Sequence, residues 1–199
     1  MLGRLAVVAR QCTDAYEAYE HARALELTEQ FFWFFCNDYV ELVKARAYGA
    51  HGADAAASAI AALRLALSAL LRLFAPVLPF VTEEVWSWWQ PGTVHRAAWP
   101  DPAEFTAAAA ARGPGVSPDR VLAAASGAIA AIRTAKSAAR LSMRAPVSEL
   151  VVSAAAGDLA ALAGVLRDVQ GAGQVARVEL RTADADEPGY AVRLEPRSG

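Results

Sequence analysis

The chain has 199 residues, of which 55% are hydrophobic, and a formal net charge of −2. That length allows one domain with a real core, or one domain with a small appendage, although alanine supplies much of the apolar count. The near-neutral balance excludes a surface that is wholly an electrostatic nucleic-acid footprint and leaves room for a local patch.

Leu2, Leu5, Val8, Cys12, Ala15 and Tyr19 recur at three- and four-residue steps, which predicts an amphipathic helix over 2–19. Arg4 and Arg10 interrupt this stretch, so it lacks the unbroken apolar core of a signal peptide. A second helix is expected over 23–48, stopping at Gly49 and Gly52. It carries five consecutive aromatics, Phe31 to Phe35. On a regular wheel Phe31, Phe32, Phe35, Cys36, Tyr39, Leu42 and Val43 share one broad arc, as a central bundle helix requires. Phe34 instead falls among Gln30, Asp38 and Glu41 on the polar side. Either a neighbouring module covers it, as a possible interdomain contact, or it is an exposed ring without consequence.

A third helix is expected over 53–74, with Ile60, Leu63, Leu67, Leu70, Leu71 and Phe74 on one face. No apolar run in the sequence approaches the roughly 18 residues of a membrane span, and no membrane partner is expected. Pro76 and Pro79 then break the chain. Thr82 is the expected N-cap of a short helix holding Glu83, Glu84, Val85, Trp86 and Trp89. Adjacent glutamates diverge on a helix, so Glu83 and Glu84 suit dipole compensation better than acid–base work. After the Gly/Pro-rich segment around 111–118, a long helix is expected over 117–139. "PVSELVVSA", "GQVARVEL" and "GYAVRLEP" read as short strands, with a helix between the first two. The expected fold class is mainly α: an antiparallel helical bundle over 1–101, a linker over 102–116, then a long helix and a small αβ unit over 117–199.

Cys12 and Cys36 lie in helical patterns, as small buried residues rather than a disulfide or metal pair. His21, His51 and His95 have no paired spacing, so no metal site is expected. No Gly-rich phosphate loop and no Ser/His/Asp set can be assembled. Between Asp119 and Glu149 the chain holds Arg120, Arg133, Lys136, Arg140 and Arg144 without an acid. The last four lie within about 80° on a wheel, provided the helix continues that far. Such a row could track an RNA backbone, or be a solvated or interdomain face met by carboxylates elsewhere. Lys44, Arg46 and His51 form a weaker second set of RNA-contact candidates, since cations near a helix C-terminus also compensate its dipole.

"FFWFFCNDYVELVKARAYG", "LLRLFAPVLPFVTEEVWSWWQPGTVHRAAWP" and "AIRTAKSAARLSMRAPV" together resemble the C-terminal part of the valine–tRNA ligases, class I aminoacyl-tRNA synthetases. The resemblance covers most of the chain in order. It departs from the expected pattern at Phe34, Asn37 and Ala138, which puts surface contacts in doubt rather than the fold. The resemblance implies an anticodon-binding bundle with an αβ extension, as a fragment or a truncated stand-alone copy. It also implies tRNA(Val) and a catalytic domain as partners, no DNA, and a cytoplasmic setting. ATP and valine would bind the catalytic domain, whose two signature nucleotide-binding motifs do not occur in this sequence, so no cofactor and no catalysis are expected of this chain. The family helix that helps shape the anticodon pocket precedes the first residues matched here, so base-reading residues cannot be transferred one by one. The alternative is a protein-interaction module that kept the fold and lost RNA binding.

Overall fold

The computed structural model describes residues 1–110, 116–183 and 188–194. They divide into two compact units, Met1–Tyr39 with Asp54–Gly113, and Val40–Ala53 with Pro114–Gly199.

The first unit is helical. α1 (Leu2–Glu17) buries Leu5, Ala9, Cys12 and Ala15 along one stripe. Tyr19, at φ +62°, turns the chain into α2 (His21–Phe34). Leu27, Phe31 and Phe35 of this stretch are buried, and the Phe32 ring meets Phe74 edge to face at 5.7 Å. The expected continuous helix instead passes through one π-helical segment, Phe35–Val40, before α3 (Glu41–Ala47). A wider turn rotates every later side chain off a regular wheel. The division between the units falls inside that segment. The stretch expected as one helix therefore feeds two cores: Phe31 and Phe35 are buried in the first unit, and Leu42 packs in the core of the second. Phe34 is half-buried, its ring 5.8 Å from Phe31 and 5.0 Å from the Arg4 guanidinium. α1 of the same unit thus covers it in part.

Gly49 and Gly52 take φ of +88° and +93°, stopping α3 and leading into α4 (Ala53–Phe74). Among the described residues α4 is long and apolar enough to cross a membrane by length and composition, contrary to the sequence expectation. Alanine gives it that character, and its packing is that of a core helix, with Ala66, Ala69, Leu70 and Leu73 buried. Arg72, also buried, donates to both carboxylate oxygens of Glu104, at 3.0 and 2.8 Å, and to the Ala98 carbonyl. α5 (Pro79–Ser87) starts three residues before the expected Thr82, because proline is suited to the first turn. Thr82 is buried and donates to the Leu78 carbonyl. Glu83 is consequently past the helix start. Its carboxylate accepts from the Thr93 hydroxyl and the Val94 amide, holding the single 3₁₀ turn Val94–Arg96. α6 (Pro102–Ala110) stands where a linker was expected, and packs on α1 with Phe105 fully buried. The rest of that expected linker, 111–115, lies outside the described residues.

The second unit is the expected αβ element with α3 added to it. α7 (Pro118–Ala138) buries Leu122, Ala125, Ala128, Ile129 and Ile132. β1 (Val147–Ala154) leads to α8 (Ala156–Ala163) and α9 (Leu166–Gly173), two helices where one was expected. β2 (Val175–Thr182) and β3 (Gly189–Leu194) complete a sheet of order β2-β1-β3, with β2 parallel and β3 antiparallel to β1. Leu150 opposes Val178 and Val192, and Val152 opposes Leu180 and Tyr190. These pairs face the core that α7, α8 and α9 close. Gly127 admits the Tyr190 hydroxyl, which would lie 2.5 Å from a β-carbon at that position.

Candidate RNA-binding surface

The proposed cationic row does not form as a row. α7 ends at Ala138, and Arg140 takes φ +54° in the turn that follows. Chain reversal there puts Arg140 and Arg144 off the helix. Pro146 and β1 follow at once, which leaves no room for the two further turns the wheel required.

Lys136 is 1% exposed, so it is not available to a backbone phosphate. Its ammonium donates to the Met143 and Gly173 carbonyls, both at 2.9 Å. Burial holds its pKa below the ordinary lysine value. Two carbonyl acceptors compensate the buried charge in part, as a desolvated ammonium requires. Lys136 therefore ties the 139–146 turn to the end of α9, and Arg140 and Arg144 are exposed on the turn it holds. Arg133 is half-buried on α7. Met143, on the same turn, is exposed.

The second candidate set is also largely consumed. Arg46 pairs with Asp168 of α9 at 2.9 Å, and His51 Nδ1 lies 3.5 Å from the same carboxylate. Asp168 is 4% exposed. These two residues fasten α3 and the turn after it to α9 and do not present charge to a ligand. Lys44 remains exposed, 3.3 Å from Glu41 on its own helix.

Sequence reasoning missed the outer face of the sheet. Arg177, Glu179 and Arg181 alternate along β2 and project away from the core, beside Glu149 of β1 and Arg193 of β3. Arg193 and Arg177 flank Glu149 at 2.8 and 3.5 Å, and Arg181 donates to Glu179 at 2.8 Å. The Arg181 partner pulls the Glu179 carboxyl below its usual range. The period-two pattern in "ARVELRT" was the available signal. Three arginines against two glutamates leave this face almost balanced, so it adds little net attraction. Among the described residues no group of three metal-ligating side chains is brought together. Among the described residues, the exposed cations Arg140 and Arg144 at the α7–β1 turn offer a surface for electrostatic contact.

The family described as the anticodon-binding domain of tRNA ligase matches residues 1–152. The chain belongs to that family. It is homologous to the C-terminal region of valine–tRNA ligases. It is 54% identical to the valine–tRNA ligase of Salinispora tropica over 197 residues, covering 94% of this chain and 23% of that protein. The corresponding enzyme of Thermobifida fusca is 51% identical, covering 98% of this chain and 21% of its own length. That of Cutibacterium acnes is 44% identical, covering 85% and 19%. The chain thus spans about a quarter or less of the length of these curated relatives. The family match runs beyond the expected bundle boundary at 101 and takes in α6, α7 and most of β1.

Proposed function

We propose that the chain supports the anticodon arm of tRNA(Val) during aminoacylation, in the cytoplasm, while a catalytic module binds ATP and valine and joins valine to the tRNA. Family membership supports the role, and the observation that carries the RNA contact is the turn bearing exposed Arg140 and Arg144, fixed from beneath by Lys136. Arg133 and Lys44 border on the same role with less exposure or with a carboxylate close by.

With a net charge of −2, binding is weak, salt-sensitive and poorly selective for the valine anticodon. Fluorescence anisotropy with labelled tRNA(Val) and an unrelated tRNA, titrated at several salt concentrations, tests this. Weak binding of both, lost as salt rises, is expected. The chain carries neither nucleotide-binding motif, so it should show no valine-dependent ATP–pyrophosphate exchange.

A second reading, a protein-interaction module without RNA affinity, draws on one observation: Arg46, His51 and Lys136 are all engaged internally. Absence of tRNA binding even at low salt would favour it.

A further inference from the structure

α5 has two apolar faces. Thr82 and Trp86 point inward and are buried, Trp86 packing with Leu71, Ala75 and Val94. On the opposite side Phe80 is 89% exposed, Val81 55% and Trp88, the residue that caps the helix, 69%. Advancing about 100° per residue, Phe80, Glu84, Trp88 and Val81 fall within one arc of roughly 100°. Val77 and Leu78, immediately before the helix, are exposed as well. Single exposed apolar residues are ordinary, but a contiguous group with two large aromatics marks a surface that something covers. A helix apolar on two sides belongs between two layers, and the chain supplies one of them.

The chemistry of the face selects its occupant. Among the described residues of that helical arc, the one charged group is Glu84, whose carboxylate accepts from the Trp88 indole at 3.1 Å. A phosphate backbone would meet an acid and no cation there, which disfavours RNA. Aromatics at the centre with polar groups at the rim is the composition of a protein–protein interface. In the curated relatives roughly three quarters of the polypeptide lies outside the region matched here. We infer that the outward face of α5, with Phe80, Val81 and Trp88 at its centre, is the seat on which that remaining part of a tRNA ligase docks. The inference rests on the reading of this chain as the C-terminal part of such an enzyme. It places an interdomain contact on α5, apart from the one expected at Phe34.

Hydroxyl-radical footprinting with mass spectrometry reads the accessibility of Phe80 and Trp88 without any tRNA, so its outcome is separate from that of the RNA-binding test. It is applied to the isolated chain at low concentration, and to the Salinispora tropica enzyme with its matching region replaced by this chain. Labelling of Phe80 and Trp88 should be roughly tenfold slower in the full-length protein, as expected at a water-excluded interface centre. Tyr48, 84% exposed in the second unit, reports any general loss of labelling. In parallel, Phe80→Glu and Trp88→Glu should leave the melting temperature of the isolated chain unchanged and lower that of the full-length protein. Equal labelling in both contexts overturns the proposal. Protection in the isolated chain that grows with concentration also overturns it, since a second copy would then be the occupant. A full-length chimera without valine-dependent exchange activity counts against it too, because the face would have failed to seat the module.

Discussion

The two ends of α9 show what decides the fate of a positive charge in this protein. At its start, Asp168 draws Arg46 and His51 into a buried cluster. At its end, the Gly173 carbonyl takes one hydrogen bond of Lys136, and the turn so fixed leaves Arg140 and Arg144 in solvent. Four cations and one histidine, all candidates by sequence, become three structural anchors and two candidates for a ligand. Position along the chain does not separate them; the acceptor lying across from each one does. A buried carboxylate or a buried carbonyl consumes a cation, and where neither stands opposite, the charge remains available for phosphate.

The sharpest break of that comparison is removal of the buried carboxylate. Asp168→Ala leaves the half-buried Arg46 without its counter-charge and His51 without its neighbour. It should cost about 3 kcal/mol, the low end for a broken buried pair because Arg46 keeps some solvent. Chemical denaturation measures this. A loss below half a kilocalorie would mean the cluster is solvated like an ordinary surface pair.

Lys136→Met comes next. It preserves the aliphatic stem but leaves the Met143 and Gly173 carbonyls without their donor, at about 1–3 kcal/mol for a buried acceptor left unsatisfied. The relief of desolvating an ammonium offsets part of that loss. The same variant should loosen the 139–146 turn, seen as faster amide exchange at Leu141, whose amide bonds to the Lys136 carbonyl.

A smaller effect appears on acidification of the first unit. Hydrogen bonds from Arg72 hold the Glu104 carboxyl below its ordinary value. A depressed carboxylate contributes stability that is present above the unfolded pKa, near 4.3, and is lost as pH falls through the lower folded value. The parent should therefore lose stability below about pH 4 more steeply than Glu104→Gln does, in melting temperatures across that range. Smallest of all is Phe34→Leu, which removes the ring from under Arg4 and should cost about 0.5–1 kcal/mol. A core-sized loss there would show that α1 covers Phe34 more fully than a half-buried ring allows.

The fold was largely legible because the strongest signals are local. Helical spacing placed α1, α4 and α7, the glycines at 49 and 52 marked a real stop, and alternation in "PVSELVVSA" and "GYAVRLEP" found β1 and β3. The start of α5 at Pro79 and the helix α6 were misplaced within local sequence, whereas other misplaced features depend on something distant or irregular. A π-helical segment at Phe35–Val40 defeats a fixed 100° wheel, so the arc from Phe31 to Val43 reads as one face when its two ends serve different cores. Residues 40–53 join the second unit through packing of α3 on α9, which no local pattern announces. The candidate site was less legible still. Spacing alone drew Lys136 into a ridge with its neighbours, whereas its carbonyl partners lie 7 and 37 residues away in sequence. Nor could Asp168 be foreseen as the partner of Arg46, since more than a hundred residues separate them.

The division between consumed and available cations is tested most directly by tRNA binding against salt, for the parent and for Arg140→Glu/Arg144→Glu. Both substitutions lie on exposed positions and should change stability by no more than about 0.5 kcal/mol. For flexible phosphate contacts the log–log slope is about −0.7 per neutralised phosphate, so the parent should give roughly −1.4 with two contacts and about −2 if Arg133 joins them. The double variant should lose measurable binding at low salt while keeping its melting temperature. Parent-like affinity and slope in that variant would contradict the account.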